Sequence, residues 1–118
     1  MKISTDIEGN FLLVRIKGDL DMHTVPEFKK KITTIMNQKG IDNLILNLKS
    51  VNFIDSTGLG AILGRYRELT SNNGELILIG LTSPVKRIFQ LSGVLELISV
   101  YESEDDIIEE LKGGSNIA

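Results

Sequence analysis

Val51-Asn52-Phe53-Ile54-Asp55-Ser56-Thr57-Gly58-Leu59-Gly60 joins two apolar patterns of different period. Upstream, Leu44-Ile45-Leu46-Asn47-Leu48 is a short, nearly continuous apolar run, the mark of a strand buried on both faces of a mainly parallel sheet. Downstream, Leu59, Ile62, Leu63, Tyr66 and Leu69 recur every three or four residues, so one stripe of a helix faces a core. A sheet therefore meets a helix N-terminus here. Asp55, Ser56 and Thr57 are each candidates to cap the first free backbone N–H groups of that helix.

Two other helix starts carry acids that complement the helix dipole. Thr24-Val25-Pro26-Glu27 reads as a capping box with proline in the first turn, and Ser103-Glu104-Asp105-Asp106 opens the last helix. If Ser56 is the cap, Thr57, Gly58 and Leu59 bring no negative charge to the positive end, which leaves it open to an anion, including one attached to Ser56 itself. Gly58, Gly60 and Gly64 each cost a helix interior roughly 1 kcal/mol relative to alanine, so something comes close to the backbone. Gly64 is read as packing and Gly58 as access for a partner or a phosphate.

Outward from this step the pattern alternates. Lys2 to Ile7 and Phe11 to Lys17 flank Glu8-Gly9-Asn10 as a hairpin, with Leu12, Val14 and Ile16 on one buried face. Gly18 to His23 form a polar corner before a helix whose stripe is Val25, Phe28, Ile32, Ile35 and Met36, closed by Gly40. After the turn Ser71 to Gly74, Leu76-Ile77-Leu78-Ile79 reads as a second interior strand. Ser83 caps and Pro84 starts a short helix ending at Gly93; Leu97 to Val100 is an edge strand; a final helix runs from about Ser103 to Lys112, with Ile107, Ile108 and Leu111 inward. The expectation is one α/β domain over residues 1–112, a mixed, mainly parallel sheet with an N-terminal antiparallel hairpin and about four helices, followed by a flexible tail at 113–118.

Composition narrows the function. The chain has 118 residues, no cysteine, and no apolar stretch long enough to cross a bilayer; Met1-Lys2-Ile3-Ser4 does not open a signal peptide, and a cytoplasmic, monomeric protein is expected. With 13 basic and 16 acidic residues, net charge −3, it is poorly suited to bind nucleic acid or an anionic membrane. The one compact basic run, Lys29-Lys30-Lys31, reads as a solvated helix face.

Asp19, Asp21, His23 and Asp55 could be imagined around a magnesium ion. Yet Gly18 separates the Asp-x-Asp pair from its strand and no matching lysine and acidic pair follows, so Asp19 is read as organising the turn through backbone N–H groups. His23, the only histidine, has no Gly-x-Ser-x-Gly elbow to serve, and the glycines from Gly58 to Gly64 match neither a dinucleotide fingerprint nor a Walker loop. No catalytic residue, metal or cofactor is expected.

Asp55-Ser56-Thr57-Gly58-Leu59-Gly60, continued by Ala61-Ile62-Leu63-Gly64-Arg65-Tyr66, closely resembles the phosphorylation-site segment of bacterial anti-sigma factor antagonists of the STAS class, most of all the sporulation type. The resemblance extends to Gly18-Asp19-Leu20-Asp21-Met22-His23-Thr24 and to Ser83 through Gly93, hence to nearly the whole chain; Thr57 stands where relatives carry a second serine and is a minor alternative site. It implies that the unmodified form binds an anti-sigma factor that is itself a serine kinase, freeing the sigma factor. The kinase then phosphorylates Ser56, and a serine phosphatase acting on phospho-Ser56 resets the switch. The implied partner surface is Asp21, Met22, His23, Thr24, Asp55, Thr57, Gly58 and Leu59, with Asp21 beside the serine and burial an equal alternative for Leu59. The rival readings are a non-switching scaffold subunit of a stress-signalling complex and a magnesium-dependent phosphate hydrolase built on Asp19, Asp21 and Asp55.

Overall fold

The computed structural model describes residues 1–117, with side chains through Lys112. Strands β1 (Lys2–Glu8) and β2 (Phe11–Lys17) pair antiparallel, joined at Glu8 and Phe11 by a two-residue turn in which Gly9 takes the positive φ that such short hairpins demand. Then come α1 (Val25–Lys39), β3 (Asn43–Ser50), α2 (Ser56–Ser71), β4 (Leu76–Ile79), α3 (Ser83–Ser92), a 3₁₀ turn at Val94–Glu96, β5 (Ser99–Tyr101) and α4 (Glu104–Ile117). The sheet order is β1-β2-β3-β4-β5, parallel everywhere except in the first pair. This is the expected architecture.

Alternation along the strands divides the core. Leu12, Val14, Leu44, Leu46 and Leu78 face Phe28 and Ile32 of α1, Ile62 of α2, and Val85 and Phe89 of α3. On the other face, Phe11, Leu13, Ile45, Ile77 and Ile79 are covered by Ile107 of α4. One amphipathic helix therefore explains why β3 and β4 read as continuous apolar runs.

Polar bonds fix α4 to the sheet. Arg15 on β2 donates from Nε and Nη2 to the two carboxylate oxygens of Glu104, at 2.7 and 2.8 Å, and from Nη1 to Asp6 at 2.7 Å; Asn47 on β3 donates to Glu104 Oε2 at 2.6 Å. The Arg15 hydrogen bond, followed by that from Asn47, holds the Glu104 carboxyl below its ordinary pKa against the opposing effect of desolvation.

Four local expectations change. The Thr24 capping box does not form, because the Thr24 hydroxyl donates to the Asp19 carbonyl at 2.8 Å and accepts the Asp21 N–H at 3.0 Å. Thr82 rather than Ser83 is the N-cap of α3, and its hydroxyl bonds the Val51 carbonyl across the loop instead of its own helix. The edge strand lies at Ser99–Tyr101, since the 3₁₀ turn shifts its start and Ile98 is buried ahead of it. Helix α4 continues through residues 113–117 rather than stopping at Lys112, because glycine weakens a helix but, unlike proline, does not block it; Ala118 lies outside the described residues.

An unfolded Glu104 binds its proton more readily than the native one, so its contribution is complete above the ordinary carboxylate range, about pH 4.3, and is lost as pH falls through the lowered native value. Glu104→Ala should cost about 1–2 kcal/mol at pH 7, modest because the Arg15 side chain is 40% exposed, and the deficit should shrink below about pH 4. Urea denaturation of both proteins at pH 7 and pH 3 measures it.

Candidate functional site

Two loops at the carboxyl ends of β2 and β3 are zipped together. Leu20 and Ile54 form an isolated parallel bridge; Leu20 N–H donates to the Phe53 carbonyl at 3.1 Å, and Asp55 N–H donates to the Leu20 carbonyl at 3.3 Å. Of the candidate caps of α2, the structure selects Asp55: extended at φ −103° and ψ −176°, it accepts the Gly58 N–H on Oδ1 at 2.8 Å. Its Oδ2 accepts the Met22 N–H at 3.0 Å. The bond from Gly58 and, after it, that from Met22 lower the Asp55 pKa despite some desolvation. The helix end is thus not free of charge, as a Ser56 cap would leave it.

Ser56 is the first residue of α2. It is exposed, and among the described residues its hydroxyl makes no hydrogen bond; Thr57 is exposed beside it. The corner before α1 is organised by Asp21 rather than Asp19: Asp21 Oδ1 accepts the N–H groups of His23 at 2.9 Å and Thr24 at 3.1 Å, whereas Asp19 contributes its backbone carbonyl. Met22 and His23 are exposed, and Thr24 is half-buried with its hydroxyl engaged.

The glycine roles differ from those expected. Gly58 is buried, and a Cβ there would lie 2.1 Å from the Leu20 carbonyl oxygen and 2.8 Å from Ile54, so it serves the close approach of two backbones and offers a partner no surface. A Cβ at Gly60 or Gly64 would meet nothing within 4 Å, and Gly60 is exposed. Leu59 is half-buried against the main core, in keeping with its place on the apolar stripe. Asp21, Met22, His23, Thr24, Asp55, Ser56 and Thr57 do come together at one end of the sheet. Phe53 joins them, 51% exposed, with no role foreseen; the only signal was an aromatic in a short strand-to-helix loop. Both oxygens of Asp55 and Oδ1 of Asp21 are taken by backbone N–H groups, and among the described residues His, Cys, Asp and Glu form no group of three that could hold an ion.

A sheet of this order, antiparallel in its first pair and parallel in the rest, defines a class of fold. The family described as STAS domain matches residues 2–107, and the chain belongs to it. Within that family it is similar to the anti-sigma-B factor antagonist of Staphylococcus aureus, 34% identical over 89% of this chain and 96% of that protein, and to the anti-sigma F factor antagonist of Paenibacillus polymyxa, 30% identical over 95% and 96%. The solved structures of the anti-sigma factor antagonist SpoIIAA, unphosphorylated (27% identity, 95% and 99% coverage) and, from Bacillus, phosphorylated (29%, 93% and 99%), both superpose with a TM-score of 0.74.

Gly58→Ala should destabilise the protein by about 1–3 kcal/mol, since backbone rather than a flexible side-chain end must move. Gly60→Ala should stabilise it by roughly 0.5–1 kcal/mol. Paired thermal melts give both signs.

Proposed function

We propose that this protein is an anti-sigma factor antagonist: it binds an anti-sigma factor that is a serine kinase, and is itself substrate and ligand rather than enzyme. The observation that carries the reading is the exposed Ser56 hydroxyl, unbonded at the first position of α2 directly after the Asp55 cap. The names of the relatives support it. The kinase transfers a phosphoryl group from ATP to Ser56 Oγ, and a separate phosphatase removes it. Residues 1–112 carry this function, and the site is the end of the sheet that holds Asp21, Met22, His23, Thr24, Asp55, Ser56 and Thr57. Among the described residues no helix is long and apolar enough to cross a membrane, consistent with a partner in the cytoplasm.

Phosphate brings a charge of about −1.5 to −2 beside Asp55. Taking such an ion out of water into an interface costs several kcal/mol, and about 4 kcal/mol is on the order of a thousandfold in affinity. The effect is on binding and not on fold, which accords with the equal likeness of this chain to both forms of SpoIIAA.

Incubation with the host's candidate anti-sigma kinases and ATP, followed by mass spectrometry, should place phosphate on Ser56, with none on Ser56→Ala. Ser56→Glu should weaken the complex by roughly a hundredfold while Tm moves by no more than about 2 °C. A folded protein that no such kinase binds or modifies would instead be a scaffold subunit.

A further inference from the structure

We infer that Phe53, with Met22 on the loop bonded to its own, is the apolar anchor by which the unmodified protein grips its anti-sigma partner; this rests on the reading of Ser56 above. Phe53 is the sole exposed aromatic side chain among the described residues: Phe11, Phe28 and Phe89 are buried, and Tyr66 and Tyr101 are half-buried. Its position is not loose. The Phe53 carbonyl accepts the Leu20 N–H, and the next residue but one, Asp55, accepts the Met22 N–H, so both side chains are carried by loops tied to each other. Met22 is 62% exposed on the opposite loop. A large ring held on a fixed backbone loses little freedom on binding, which makes it a strong anchor.

The surroundings decide the kind of partner. Asp19, Asp21 and Asp55 bring three carboxylates to this end of the sheet, and neither Gly18 to Thr24 nor Val51 to Gly60 contains a lysine or arginine. Anionic lipid and nucleic acid are repelled here, and a second copy would set these same carboxylates against its own. The fitting occupant is a different protein whose patch is apolar at the centre and neutral or cationic at the rim. Exposed Gly60, which no contact among the described residues requires, leaves the start of α2 low enough for that surface to approach. Phospho-Ser56 then disrupts binding by lodging a hydrated dianion next to the anchors, so that the partner cannot cover them without stripping its water.

The test is the affinity of the unmodified full chain for its anti-sigma kinase, measured by titration calorimetry, with light scattering of the free proteins. Phe53→Ala should weaken binding roughly tenfold or more, Phe53→Leu less, and Met22→Ala severalfold, with melting curves unchanged. Leu97→Ala, which removes a side chain 56% exposed beside the far edge strand, should bind like the parent. Parental affinity in Phe53→Ala, while Ser56→Glu still blocks the complex, overturns the anchor and leaves the switch standing. A parent chain that binds no anti-sigma kinase overturns both, and a parent dimer that Phe53→Ala dissolves would make a second copy the occupant and overturn the anchor.

Discussion

The Asp55 carboxylate divides its two oxygens between two segments, taking the Gly58 N–H at the head of α2, three residues on, and the Met22 N–H in the corner before α1, 33 residues back. Neither bond replaces the other: the first caps a helix, and the second fastens that helix to a loop of another strand. Between them Gly58 lets the Leu20 carbonyl come closer than any side chain would permit. Ser56, lying between the cap and the buried glycine, therefore has a backbone fixed from both sides while its hydroxyl remains in solvent. Such a residue can be chemically modified without the fold giving way around it.

Much of this was legible in the chain, and the boundary falls where distance along the sequence grows. The apolar runs Leu44–Leu48 and Leu76–Ile79 announced strands covered on both faces, and Ile107 on a last amphipathic helix supplied the second cover. Local period suffices for that. The choice among Asp55, Ser56 and Thr57 as cap was not legible, because it depends on Met22, a partner with no sequential relation to them. The glycines misled for the same reason. Gly58 and Gly60 look alike in a helix, and only the carbonyl of Leu20, 38 positions away, distinguishes them. The outward turn of Phe53 is not legible either, since Val51 and Ile54 near it are buried and nothing local marks the ring as exposed.

The charge distribution separates two tasks. At the Ser56 end, the Asp21 and Asp55 carboxylates are bound by backbone N–H groups and not by a lysine or arginine, so negative charge is held in place rather than neutralised. On the α4 face, Glu104 is met by Arg15 and Asn47 and serves cohesion. Bonds to backbone donors fix a carboxylate while leaving its charge available to a neighbour; an arginine fork fixes it and cancels its charge. A surface that discriminates by charge needs the first kind.

The bond between Arg15 and Glu104 spans 89 positions, the longest sequence separation among the side-chain hydrogen bonds described, and it has a consequence for how the protein is made. The main core is assembled from residues no later than Ile98, with each βα unit laid against the one before it. The helices α1, α2 and α3 can therefore dock on the sheet while α4 is still undocked. The opposite face of the sheet stays bare over that interval, and Arg15 waits with only Asp6 for company. Docking of the last helix then closes that face in one step, so the loops at the Ser56 end can be in place before the opposite face of the sheet is covered.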